Sequence, residues 1–191
     1  MFKKILSKIS VLGLPLALLF SQAFAQQALP EVDYQQKHGD WRITCHLIDE
    51  ANSFRDCIIS TGTTNKLKLP EGENEIDTAR ATVIYQGDMP VLILTALPAT
   101  LLLPGLAIDV DGKPLEIEGE TVETLSFQRC MNDGCITGIP IEDDKILNLL
   151  KSSNNMNLKY QHDLVGEGEQ TIAPIISLKG FTAAFEDLQK Q

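Results

Sequence analysis

The sequence predicts an all-β fold: a β-sandwich of about eight mostly antiparallel strands with two short helices, stapled by disulfides. Three observations predict it. Apolar residues alternate at period two in several short segments, most clearly Trp41, Ile43, Cys45 and Leu47. Turn pairs such as Asp111-Gly112 and Asp133-Gly134 punctuate those segments. All four cysteines, Cys45, Cys57, Cys130 and Cys135, lie well inside the chain.

Residues 1–25 read as a signal peptide and are set aside from the fold. Lys3, Lys4 and Lys8 make a positive start, Val11 to Phe20 an apolar run, and Ala23-Phe24-Ala25 a cleavage site. The mature chain is expected to start at Gln26. A membrane anchor is disfavoured because the apolar run falls short of the roughly 20 residues a spanning helix needs. The longest later apolar stretch, Pro90 to Ile108, is interrupted by Pro98, Pro104 and Gly105. No transmembrane segment is therefore expected after cleavage. Cleavage removes three Lys and no acid, taking the formal charge from -10 to -13. A chain this acidic is not expected to be drawn to nucleic acid or anionic headgroups.

Residues 26–37 are polar and without period, and read as a flexible leader; residues 38–191 read as one domain. Trp41 to Ile48 is a half-buried strand, Asp49 to Ser53 a turn, and Phe54 to Ser60 the returning partner. Thr61 to Thr78 is rich in Gly, Asn and Lys and reads as a long surface connection. Ala79 to Tyr85 and Val91 to Leu97 form a second hairpin around Gln86 to Pro90. Thr100 to Leu103 is an apolar run ended by Pro104-Gly105.

Leu106 to Val110 alternates into Asp111-Gly112, the favoured pair of a type I′ turn, with a strand returning to Ile117. That register sets Ile108 against Leu115 and Leu106 against Ile117. Pro114 lacks an N–H and places the returning strand at a sheet edge. Thr121 to Arg129 is a further strand, running into the turn Cys130 to Cys135. Ile136 to Ile141 leads away from it. Glu142-Asp143-Asp144 opens a short helix whose apolar face is Ile146, Leu147, Leu149 and Leu150. Asn157 to Leu164 and Thr171 to Leu178 are the last strands. A helix over Thr182 to Leu188 ends the chain, with Phe181, Ala184, Phe185 and Leu188 spaced to pack on a sheet.

An even cysteine count in an exported chain reads as disulfides. Three connectivities exist. Cys45–Cys57 with Cys130–Cys135 is favoured because each pair is local and spans a predicted turn. A four-thiolate zinc site is disfavoured by the oxidising compartment and by the spacings. Asp109-x-Asp111-Gly112 lacks the ligand order of a calcium loop. His38, His46 and His162 have no metal-ligand spacing, and no metal or cofactor is expected. Ser177-Leu-Lys179 has one residue fewer between Ser and Lys than the β-lactamase pattern. The acids at 142–144 are explained by helix capping. Trp41 shares a face with Ile43 and Cys45 and is expected in the core.

Taken in order, Gly39-Asp40-Trp41-x3-Cys45, Cys57, Pro104-Gly105-Leu106, Phe127-x2-Cys130-x4-Cys135 with Gly134, and Ser177-Leu-Lys-Gly180-Phe181 with Ala183-Ala184 and Leu188 form a pattern. It resembles the invasion-associated locus B family of proteobacterial exported proteins. The chain departs from that pattern in its polar insert, Thr61 to Thr78, and in Gln128-Arg129. The resemblance implies a periplasmic or outer-membrane associated protein, with secretion the other expected destination of this chain, and a link to host-cell invasion for the namesake. It implies no catalytic residues; its matching positions are structural.

The expected function is thus a non-enzymatic, exported binding protein whose partner is a protein or a component of the envelope or host surface. The alternative is an envelope housekeeping or stress factor that binds an envelope component or a small ligand. A hydrolase with a site assembled in space ranks third. The first predicts an exposed apolar patch or a free sheet edge, the second a concave pocket, the third displaced titratable groups beside one.

Overall fold

The computed structural model describes residues 31–191 apart from 50, 52–53, 70–71, 143 and 165–167. The expected signal peptide therefore lies outside the described residues. In chain order the elements are β1 (Val32–His38), β2 (Trp41–Asp49), β3 (Phe54–Leu69), β4 (Gly72–Gln86), β5 (Met89–Ala96), β6 (Leu106–Val110), β7 (Leu115–Ile117) and β8 (Glu120–Val122). There follow β9 (Thr124–Leu125), β10 (Arg129–Met131), β11 (Gly134–Pro140), α1 (Asp144–Ser152), β12 (Asn155–Leu164), β13 (Gly168–Ile172), β14 (Ile175–Ser177) and α2 (Phe181–Leu188). The fold is all-β and antiparallel, with two helices.

A seven-stranded sheet runs β1-β2-β3-β4-β5-β11-β10, and a second sheet runs β13-β12-β6-β9, with β14 also on β12. The alternation of β2 is realised: Trp41, Ile43 and Cys45 are buried and Arg42 is exposed. One core joins both sheets, with Ile43, Ile59, Val83 and Leu94 from the first and Ile108, Val110, Met156 and Leu158 from the second. Tyr160 of β12 crosses between them, its hydroxyl donating to the Thr78 carbonyl at 2.6 Å. Burial pushes that phenol up to about 12, so it stays a donor at any physiological pH.

Both disulfides close between directly opposed residues of one hairpin: Cys45–Cys57 across β2 and β3, Cys130–Cys135 across β10 and β11. Their sequence separations are 12 and 5. In the chain-entropy model such loops contribute about 3 and about 2 kcal/mol. Reduction is expected to lower the melting temperature by roughly 10–20 °C. An unchanged melt with reductant present would count against a structural role for the pairs.

Five expectations are corrected. Residues 32–37 of the expected leader belong to β1, a full edge strand paired with β2 from Val32↔His46 to His38↔Trp41. Its anchor is distant in sequence: the Tyr34 hydroxyl and the His38 Nε2 donate to the Asp187 carboxylate at 2.9 and 2.8 Å. Burial alone would raise that carboxyl; the hydrogen bonds from His38 and Tyr34, the His38 charge and Gln191 together hold it below its ordinary value.

The expected surface connection over Thr61 to Thr78 is instead the extension of β3 and β4, a ladder unbroken from Ile59↔Val83 to Leu69↔Gly72 but for a bulge. The bulge at Thr63/Thr64 lets Thr78 turn inward, fully buried. Beyond it Leu67 and Ile76 join the core side.

At Asp111-Gly112 the turn forms, with φ of 49° and 77° and hydrogen bonds both ways between Val110 and Lys113. The strand pairing beyond it does not form. The next rung would need the Ile108 N–H, which instead donates to the Glu123 carbonyl at 3.0 Å, and β7 pairs with β8 around a second turn at Glu118-Gly119. β6 instead lies between β12 and β9. Likewise Thr121 to Arg129 is divided among β8, β9 and β10, and Thr171 to Leu178 is broken at Pro174 into β13 and β14, both on β12.

Candidate functional site

Two parts of the quoted pattern, Gly39-Asp40-Trp41 and Ser177 to Phe181, meet in space at one junction. The turn between β1 and β2 abuts the entry to α2, where Gly39 and Gly180 both have positive φ, 59° and 91°. The Asp40 N–H donates to the Lys179 carbonyl at 2.9 Å. The Ser177 hydroxyl donates to the Asp40 carboxylate at 2.7 Å and accepts from the Lys179 N–H at 3.2 Å. The Trp41 indole N–H donates to the Ser177 carbonyl at 2.9 Å, and its ring meets Phe181 edge-on, centroids 5.0 Å apart. Phe185 follows at 5.8 Å from Phe181. Gly39, Asp40, Trp41, Gly180 and Phe181 are thus a structural clasp between the first strands and the last helix. Ser177 is engaged on both sides by that clasp, and Lys179 supplies backbone to it.

The Cys130–Cys135 turn is not part of this junction. Gly134 lies there at φ 145°, where a Cβ would overlap the Ala96 carbonyl oxygen of β5. The turn residues proper are Asn132-Asp133, one position earlier than the sequence reading placed them. The three histidines stay apart: His38 bonds Asp187, His46 is half-buried on β2, and His162 is buried on β12. Among the described residues no group of His, Cys, Asp or Glu could hold a metal ion. No helix among them is long and apolar enough to cross a membrane.

The feature that faces outward is the segment from Pro98 to Pro104. Leu103 is fully exposed and Leu102 is 55% exposed. They are not held loosely. The Leu101 N–H donates to the Gln161 carbonyl at 2.9 Å, and the Gly105 N–H donates to the Leu102 carbonyl at 3.0 Å. The Thr100 hydroxyl caps the Leu97 carbonyl at 2.6 Å. Beneath the loop, the buried His162 donates from Nε2 to the Pro98 carbonyl at 2.7 Å, which leaves Nδ1 buried without a partner. Ala99 adopts φ 62° to make the turn. Two large aliphatic side chains are therefore presented to solvent on a pinned loop. The sequence showed this run as apolar; only the prolines on either side hinted that it would not be a strand.

A cleft of about 460 Å³ lies on the outer side of the second sheet, floored by Ala107 and Ala173 and edged by Asp109, Glu123, Asn157 and Lys159. Asp109 is fixed there by hydrogen bonds from the Asn157 amide and the Gly112 N–H, both at 2.7 Å.

Comparison with known proteins bears on this arrangement. The family model described as invasion associated locus B (IalB) protein matches residues 41–189, from the clasp tryptophan to the end of α2. The crystal structure of invasion associated protein B from Bartonella henselae is similar in fold, with 21% sequence identity and a TM-score of 0.57. That likeness covers 83% of this chain and 99% of the Bartonella chain. A search of curated proteins found no match. With a family match running through the clasp, both disulfides and both helices, the chain belongs to the invasion-associated locus B family.

Proposed function

We propose that this protein is an exported, non-enzymatic binding protein of the periplasm or cell surface, and that it docks a protein partner through the Pro98–Pro104 loop. The observation that carries the reading is the pinned display of Leu102 and Leu103. An isolated exposed leucine is ordinary; two adjacent ones on a loop fixed by backbone hydrogen bonds are a preformed anchor, which loses little entropy on binding. The two disulfides support a location outside the cytoplasm. The link to host cells comes from the family description and from the Bartonella structure's description as invasion associated. A role in host-cell contact is part of the proposal on that basis. The hydroxyl that came nearest a nucleophile pattern, Ser177, is engaged by Asp40, which supports a non-catalytic reading.

The test is affinity capture with the oxidised protein from envelope and host-membrane extracts, beside a Leu102→Asp/Leu103→Asp variant. The wild type is expected to recover a specific protein, and the variant to lose about tenfold or more of that capture. Stability should stay within about 0.5 kcal/mol, because exposed positions contribute little to folding. Recovery of nothing specific, or equal recovery by the variant, would sink the reading. The alternative, an envelope factor holding a small ligand, is favoured by the cleft edged by Asp109 and Lys159. It predicts a small molecule that co-purifies with the native protein and is displaced when Ala107 is replaced by a bulky residue.

A further inference from the structure

The outer face of the seven-stranded sheet carries a second concave site, unrelated to the leucine loop. Three cations lie on β1, β2 and β4 there, with β3 between the last two. Lys37 of β1 stands directly opposite Arg42 of β2, Arg42 opposite Ser60 of β3, and Gly62 of β3 opposite Arg80 of β4. Lys37, Arg42, Gly62 and Arg80 are all exposed. They border one depression of about 400 Å³.

Two features of this patch are not explained by folding. First, Lys37 and Arg42 form a like-charge cross-strand pair, an arrangement that destabilises a sheet. Among the described residues neither they nor Arg80 has an ion-pair partner. That is unusual in a chain with a formal charge of -10. Second, Gly62 sits in mid-strand, where glycine costs stability. Its φ is not positive, and a Cβ there would come no nearer than 3.4 Å to the Ala79 carbonyl oxygen. The backbone does not require glycine. What its absent side chain provides is an open floor between the two arginines.

The distances suit a tetrahedral anion. Arg42 and Arg80 flank β3, so their Cα atoms lie two strand spacings apart and two residues offset, roughly 12 Å. Two guanidinium arms, when extended, are long enough to close that gap over Gly62, with Ser60 directly opposite Arg42. Guanidinium forks match the oxygens of phosphate in pairs. We infer that this depression binds a phosphate group, with Arg42 and Arg80 as the two clamps, Lys37 as the outer charge and Gly62 as the floor. Two acids qualify the site. Asp40 is engaged by Ser177. Asp77 stands one rank beyond Gly62, opposite Thr64, and opposes the anion from that side. The net acidity of the chain does not forbid such a site, since screening restricts distant charges to about 8–10 Å.

The phosphate has two sources, free in solution or on a lipid headgroup, and the experiment separates them. The oxidised protein is titrated with inorganic phosphate against chloride at equal ionic strength, followed by amide chemical shifts. In parallel it is floated with equimolar phosphatidylglycerol–phosphatidylcholine vesicles and with phosphatidylcholine alone. Saturable shifts confined to β1–β4 with no vesicle binding assign free phosphate. Flotation only with phosphatidylglycerol assigns a headgroup. In either case Arg42→Gln/Arg80→Gln and Gly62→Val are each expected to weaken binding by about tenfold or more, and Asp77→Asn to tighten it by about twofold or more. Gly62→Val places a good strand former at a roomy site and should not lower the melting temperature, so its loss of binding is not a folding effect. Binding of neither probe, or equal binding by the double arginine variant, overturns the inference.

Discussion

Gly180→Ala is expected to destabilise the protein by about 3–5 kcal/mol, the largest effect of a methyl group added at any described glycine. Gly180 opens α2 at φ 91°, a conformation that strains any residue with a Cβ. The space is closed as well. A Cβ there would overlap the His38 carbonyl oxygen and lie 2.9 Å from the Gly39 nitrogen. Gly39 mirrors the constraint, since its own Cβ would lie 2.5 Å from the Lys179 carbonyl oxygen. The two chain segments touch backbone to backbone, with no flexible side chain to give way. Relief requires α2 to move off β1, which breaks the Asp40–Lys179 hydrogen bond and the Tyr34 and His38 bonds to Asp187. Urea unfolding of the oxidised protein measures this directly. A change below about 1 kcal/mol would show that the junction is more yielding than its geometry.

Trp41→Ala is expected to cost a similar amount, about 3–5 kcal/mol. The side chain is wholly buried. Its removal opens a cavity beneath α2, ends the edge-to-face contact with Phe181 and leaves the Ser177 carbonyl without its indole donor. Trp41→Phe separates these terms: it keeps much of the volume and loses the hydrogen bond, so it should cost about 1–2 kcal/mol. A double-mutant cycle with Phe181→Leu should return a coupling of about 0.5–1.5 kcal/mol for the ring pair. Trp41 is the only tryptophan, so unfolding is followed by circular dichroism. Additive single and double variants would show that the two rings do not act together.

Both predictions rest on a junction whose parts were legible as residues and not as a place. Trp41 declared itself by alternation, and the face of α2 by helical spacing; Phe181, Ala184, Phe185 and Leu188 are all buried. Their meeting across the length of the chain was not written in either segment. The sequence of β1 reads as a leader for the same reason. Its side chains are polar, and what orders it is a ladder to β2 together with Asp187 at the far end of the chain. The arm of β3 and β4 reads in sequence as a connection because its Lys, Asn and Thr composition mimics a loop. Its backbone pairing and the inward Leu67 and Ile76 decide otherwise. At Asp111-Gly112 the turn is legible and the partner strand is not, because the Ile108 N–H that would carry the hairpin on is taken by the Glu123 carbonyl, eleven residues past the turn. The cationic depression left no local trace, since positions 37, 42, 62 and 80 become neighbours only through register.

Each covalent clasp joins neighbours within a single hairpin, so no sulfur bridge reaches from one sheet to the other or across more than twelve positions. A protease that clips the backbone outside residues 45–57 and 130–135 therefore leaves two fragments with nothing but weak forces between them. In detergent, with no thiol reagent added, those fragments run as separate bands. The same clip made inside either loop leaves a chain that stays whole until it is reduced.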